Sequence, residues 1–93
     1  MCEASAGSLE SGDALVVISR AEAGSMACLD IQSAVQVQFG ARIAEVVLSA
    51  LREMHLDGVR VEIRDRGALD YVIRARVKSA AERLLRKEEE SAT

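Results

Sequence analysis

The stretch AGSLESGD, residues 6–13, sets Ser11 between Glu10 and Gly12, just ahead of a strongly apolar run. A serine hydroxyl in such a place has two chemical uses. As a catalytic nucleophile it needs a histidine or lysine base aimed at it, and none stands nearby in the chain. As a hydroxyl that another enzyme modifies, it needs exposure, a mobile backbone and small neighbours, which Gly7, Ser8 and Gly12 provide. By residue type alone Ser11 is also ordinary turn material. Composition permits modification there without requiring it.

The other chemistry-bearing residues are more scattered. His55, the sole histidine, falls at the C-terminus of the long helix expected below, where its side chain would support exposed carbonyls by about 0.3–1 kcal/mol. No cysteine or carboxylate stands beside it at metal-ligand spacing. Asp13, Asp30, Glu62, Asp65 and Asp70 fall on strand ends, wet faces and turns, which is where surface carboxylates belong. Arg60, Arg64, Arg74 and Arg76 would line the wet faces of two strands, a basic stripe suited to a phosphate or an acidic partner. Arg74 and Arg76 are the candidate docking residues, against the plain reading of a solvated sheet face. Cys2 and Cys28 form neither a disulfide framework nor a ligand cluster and read as reduced thiols.

The elements that must position these groups fit one small domain spanning 1–93. Its 49 % hydrophobic and 29 % charged residues balance as in a folded globular chain. No apolar run approaches the roughly 20 residues that span a bilayer, and the N-terminus has neither a basic segment nor a signal-peptide core, so the cytoplasm is the expected location. A net charge of −3, with Phe39 and Tyr71 as the only aromatics, argues against nucleic acid.

Along the chain, ALVVISR (14–20) and MACLDIQ (26–32) read as strands joined in a hairpin through AEAGS. Val35, Phe39, Ile43, Val46, Val47, Ala50 and Met54 recur at helical spacing and predict a helix over 34–56, with Ser33 and Gln36 as its capping box. VRVEIR (59–64) alternates as a third strand, and YVIRARV (71–77) as a fourth. Ala81, Leu84 and Leu85 mark a second helix before a charged tail, 87–93, expected to fray. The order β-β-α-β-β-α implies an α+β fold, an antiparallel sheet with two helices on one face.

Three motifs carry a resemblance. AGSLESGDALVVI, the QFG at 38–40 and RGALDYVIRARV at 66–77 resemble the citrate lyase acyl carrier protein (gamma chain) family, from about Ala6 to Arg86. The related malonate decarboxylase carrier shares the SGD of Ser11, Gly12 and Asp13, while LES, GALD and RAR favour the citrate lyase type. The resemblance implies that Ser11, on a mobile attachment loop over 1–13, is joined through a phosphodiester to a 2'-(5''-triphosphoribosyl)-3'-dephospho-CoA derived prosthetic group ending in a thiol. It further implies a non-catalytic carrier of acetyl and citryl thioesters in a hetero-oligomer, with an alpha acyl transferase and a beta citryl lyase subunit and a prosthetic-group transferase as partners. Citrate would be cleaved to oxaloacetate and acetate. The chain departs from the family in a shorter N-terminal segment and in Gly12, where a second serine is frequent; Ser8 is the neighbouring alternative site. A malonate decarboxylase-type carrier and a cofactor-free interaction domain are the competing readings.

Overall fold

The computed structural model describes residues 2–22, 24–33 and 40–92. Four strands, β1 (Glu3–Ala6), β2 (Ala14–Arg20), β3 (Cys28–Ser33) and β4 (Val59–Asp65), and two helices, α1 (Gly40–Glu53) and α2 (Asp70–Ala92), follow in the order β-β-β-α-β-α. The fold is α+β, as expected, but its sheet is mixed. Strand order is β1-β2-β4-β3, with β1/β2 and β2/β4 antiparallel and β3/β4 parallel.

Alternation decides which face is covered. Val16 and Ile18 of β2 register with Ile63 and Val61 of β4, which in turn register with Ile31 and Leu29 of β3. Ala4 and Ala6 of β1 extend the same face. Onto it α1 lowers Ile43, Val47, Ala50 and Leu51, and α2 lowers Ile73, Val77, Ala80, Ala81 and Leu84, each set spaced for one helical face. A fully buried Val, Leu or Ile side chain contributes about 1.5–3 kcal/mol relative to an exposed one, so this single layer dominates stability.

The order and pairing of the elements correct further expectations. Residues 71–77 are the first turns of α2, not a strand, because Ile73 and Val77 belong to a helical stripe that continues through Ala80, Ala81 and Leu84. β2 and β3 do not form a hairpin: β3 leads through α1 into a parallel crossover with β4, and the hairpin partner of β2 is β1. The N-terminal residues are therefore a strand at Glu3–Ala6, leaving a connection only at 7–13.

The charged tail is also built in, since α2 runs to Ala92. Arg20 donates through Nε and Nη2 to the two oxygens of Glu88, each at 2.7 Å, and through Nη1 to Asp57 O. Arg83 and Lys87 donate to the carbonyls of Ser5 and Glu3, so α2 covers the outer edge of β1.

α1 begins at Gly40; the expected first turns and Gln36 of the capping box lie outside the described residues. Ser33 ends β3, and its hydroxyl donates to Asp65 Oδ2. At the other end His55 caps α1 with its backbone rather than its side chain. It sits in the left-handed region at φ 53°, with Leu56 N–H donating to Leu51 O and His55 N–H to Arg52 O, the paired bonds of a Schellman motif.

Candidate functional site

Residues 7–13 turn the chain from β1 into β2, and hydrogen bonds define the path. Asp13 N–H donates to Glu10 O at 3.0 Å, closing a four-residue turn with Ser11 and Gly12 at its corners. Gly12 has φ +84° and Ser11 has no positive φ, the signature of a type II turn. Gly12 N–H also donates to Arg66 O at 2.8 Å, and Arg66 N–H to Asp13 O at 2.9 Å. Two residues on one strand thus face a single residue on the other, a bulge whose first position needs a left-handed glycine. A Cβ on Gly12 would meet nothing within 4 Å, so the glycine serves φ and not space.

Ser11 occupies the corner of this turn. It is exposed, and among the described residues no hydrogen bond engages its hydroxyl. Ser8 differs: its hydroxyl donates to Asp13 Oδ2 at 2.8 Å and accepts from Glu10 N–H. The two serines of LESGD and its approach are thereby separated into a structural hydroxyl and a free one.

The turn is fastened to α2 through Asp13. Arg76 donates from Nε to Oδ1 at 2.9 Å and from Nη2 to Oδ2 at 3.1 Å, while Ala14 N–H reaches Oδ1 at 2.7 Å. These bonds, Arg76 first, then Ala14 and Ser8, hold the carboxyl well below the ordinary 3.8, at about 2. Gly7 makes the approach possible. At φ +93°, a Cβ there would lie 1.9 Å from Ala14 O and 3.2 Å from Arg76 Cδ.

Asp65, 4 % exposed, braces the opposite strand end. Its Oδ1 accepts from Gly67 and Ala68 N–H and its Oδ2 from Ser33, so the loop after β4 that receives Gly12 is itself held. Beyond this loop, a cavity of about 650 Å³ is lined by Ile43, Leu69, Tyr71 and Ile73, with Arg42 and Asp70 at its wall. Arg42 and Asp70 are ion-paired at 2.7 Å. The lining offers apolar surface and satisfied charges. Among the described residues no three His, Cys, Asp or Glu side chains group as metal ligands, and no helix is long and apolar enough to cross a membrane.

The expected basic stripe is divided between two layers. Arg60 and Arg64 stay on the uncovered face of β4, whereas Arg74 and Arg76 ride on α2. Arg74 pairs with Glu53 and donates to Ser49 Oγ at 3.2 Å, tying α2 to α1. Asp30 and Glu62 lie in register on neighbouring strands, and the exposed His55 stands at the end of α1. Cys2 and Cys28 are free thiols. Sequence reasoning valued Asp13 only as a strand-end carboxylate, and no local pattern announces a partner 63 positions away.

Most of the chain is similar to known proteins. Residues 2–84 match the family described as malonate decarboxylase delta subunit (MdcD), an acyl carrier protein family. The chain is 41 % identical over 78 residues to the citrate lyase acyl carrier protein of Fusobacterium nucleatum, covering 84 % of this chain and 82 % of that protein. It is 45 % identical over 78 residues to the namesake of Serratia proteamaculans, covering 84 % and 76 %. In fold it is similar to a chain of a Pseudomonas malonate decarboxylase hetero-tetramer crystallised with malonate, with TM-score 0.72, 22 % identity, and coverage of 89 % of this chain and 84 % of that one.

Proposed function

This chain belongs to the family of citrate lyase acyl carrier proteins and the related malonate decarboxylase delta subunit, and from that premise we propose that it is the acyl carrier subunit of a citrate lyase complex, with Ser11 as the attachment residue. It is a carrier and not an enzyme. The group proposed on Ser11 is a triphosphoribosyl-dephospho-CoA derivative in phosphodiester linkage. When bound, it supplies the terminal thiol for acyl transfer while citrate is cleaved to oxaloacetate and acetate. The proposed partners are an acyl transferase, a citryl lyase and the transferase that installs the group.

The observation that carries this reading is the contrast between Ser11 and Ser8. Ser11 offers an exposed, uncommitted hydroxyl at a turn corner, while Ser8 is spent on Asp13. The site also fits a bulky phosphorylated substituent, since space around Gly12 is open and Arg66 is bonded directly to the turn. Gly12, Asp13 and Arg76 hold the turn at the sheet end while the Ser11 side chain faces solvent. Docking on the partner subunits through Arg74 and Arg76 has to work alongside the bonds these make to Glu53 and Asp13.

Co-production with the prosthetic-group transferase and its precursor tests the reading. One cofactor-sized mass increment should appear, and tandem fragmentation should assign it to Ser11. Ser11→Ala should abolish the increment and change stability by less than about 0.5 kcal/mol. Full modification of that variant would move the site, Ser8 being the first suspect, and an unmodified wild type would defeat the carrier reading.

A further inference from the structure

The two carboxylates flanking Ser11 differ. Asp13 is neutralised by Arg76, whose guanidinium engages both of its oxygens, whereas Glu10 is exposed and has no ion-pair partner among the described residues. On the other side of the turn stands Arg66, bonded through both its backbone N–H and its C=O to Gly12 and Asp13. Its side chain is exposed, as is that of Arg64, which registers with Leu15 of β2 and Gln32 of β3. Among the described residues neither guanidinium has a carboxylate partner, although Arg20, Arg42, Arg74 and Arg76 all do. Arg64 and Arg66 line one shallow cavity of about 250 Å³, together with Gln32, Ser33 and Asp65. A chain of net charge −3 thus keeps two unpaired arginines beside the turn it presents.

We propose that Arg66, with Arg64, forms an anion subsite that holds the phosphates of the group attached to Ser11, so that the base of the arm lies against the end of β4 instead of sweeping freely. This rests on the assignment of Ser11 as the attachment residue. Cross-strand neighbours lie about 5 Å apart at Cα, so a phosphodiester on Ser11, one residue from Gly12, falls within reach of an extended arginine. Guanidinium is the side chain suited to it, since its planar fork matches two phosphate oxygens and it is more weakly hydrated than ammonium. Gln32 supplies a neutral donor at the rim. Arg66, fixed at its backbone, anchors the first phosphate, and Arg64, one strand pitch further along the uncovered face, meets the next.

The test is phosphorus NMR on the modified chain, after mass spectrometry has located the increment on Ser11. In the wild type the phosphodiester and diphosphate resonances should differ from those of the same group on the protease-released Ser11 peptide, and should move toward them as salt is raised. In Arg64→Gln/Arg66→Gln the peptide-like positions should appear at low salt, with transverse relaxation slowed about twofold or more as the phosphates gain independent motion. Arg52→Gln/Arg86→Gln, at two exposed arginines of α1 and α2, removes the same two charges and should leave the resonances unmoved. Wild-type resonances identical to those of the free peptide, or unaltered by the double substitution, would overturn the subsite while leaving the attachment residue standing. Absence of any increment on Ser11 would overturn both.

Discussion

Asp13 and Arg76, 63 residues apart, meet through two side-chain hydrogen bonds of 2.9 and 3.1 Å, and this pair makes the Ser11 turn a tertiary structure instead of a local one. Its electrostatic consequence is measurable. Asp13 titrates at about 2 against an ordinary 3.8. A folded-state value below the unfolded one means that the stabilisation is complete above about pH 4 and is lost as pH falls toward 2. Arg76→Ala should move the Asp13 carboxyl upward, toward its ordinary value, in a carbon-detected NMR titration. Ala14 N–H and Ser8 remain to hold it partly down. An unmoved midpoint would show that Arg76 is not the cause. Arg76→Lys should restore only part of the shift, because an ammonium cannot engage both oxygens side by side.

The two glycines of the loop should respond unequally. Gly7→Ala places a Cβ against the backbone oxygen of Ala14 at 1.9 Å and also strains φ, so β1 must lift from β2. Urea unfolding should register a loss of more than about 2 kcal/mol. Gly12→Ala meets open space and carries only the left-handed penalty, about 1–2 kcal/mol. Equal losses at both positions would contradict the close approach at Gly7.

His55 stands at a left-handed position where most helices place glycine. His55→Gly should therefore raise stability, by about 0.5 kcal/mol after the extra freedom of the unfolded chain is subtracted. Thermal and urea unfolding of this single variant decide it. A substantial loss would instead assign the stabilisation to the imidazole.

Glu88 anchors the end of α2 to β2 through both carboxylate oxygens, and Arg20 continues to Asp57 O. Glu88→Gln should cost about 1 kcal/mol, at the upper end for partly exposed pairs because the geometry is two-pronged. Amide exchange should accelerate in the last turns of α2, with the core of β4 unaffected. Uniform acceleration would mean that the tail is coupled to global unfolding.

What the chain's local pattern determined, and what it left open, divides along one physical line. Strand β2 was legible from its β-branched residues, β3 and β4 because alternation is a property of neighbouring residues, and α1 because Ile43, Val47 and Ala50 repeat at helical spacing within one segment. Ser11 was legible as a candidate from its small neighbours and from the resemblance. Residues 71–77 misled because Ile73 and Val77, four apart, satisfy both a two-residue and a helical period; burial of Ala80, Ala81 and Leu84 against the sheet selects the helix. β1 was hidden because EASA has no β-branched residue, and its small side chains gain meaning only beneath α2. Which strand pairs with which, why Gly7 must be glycine, and why Asp13 faces Arg76 are decided by contacts between residues far apart in the chain. No local period encodes such contacts; they exist only once the helices have closed over the sheet.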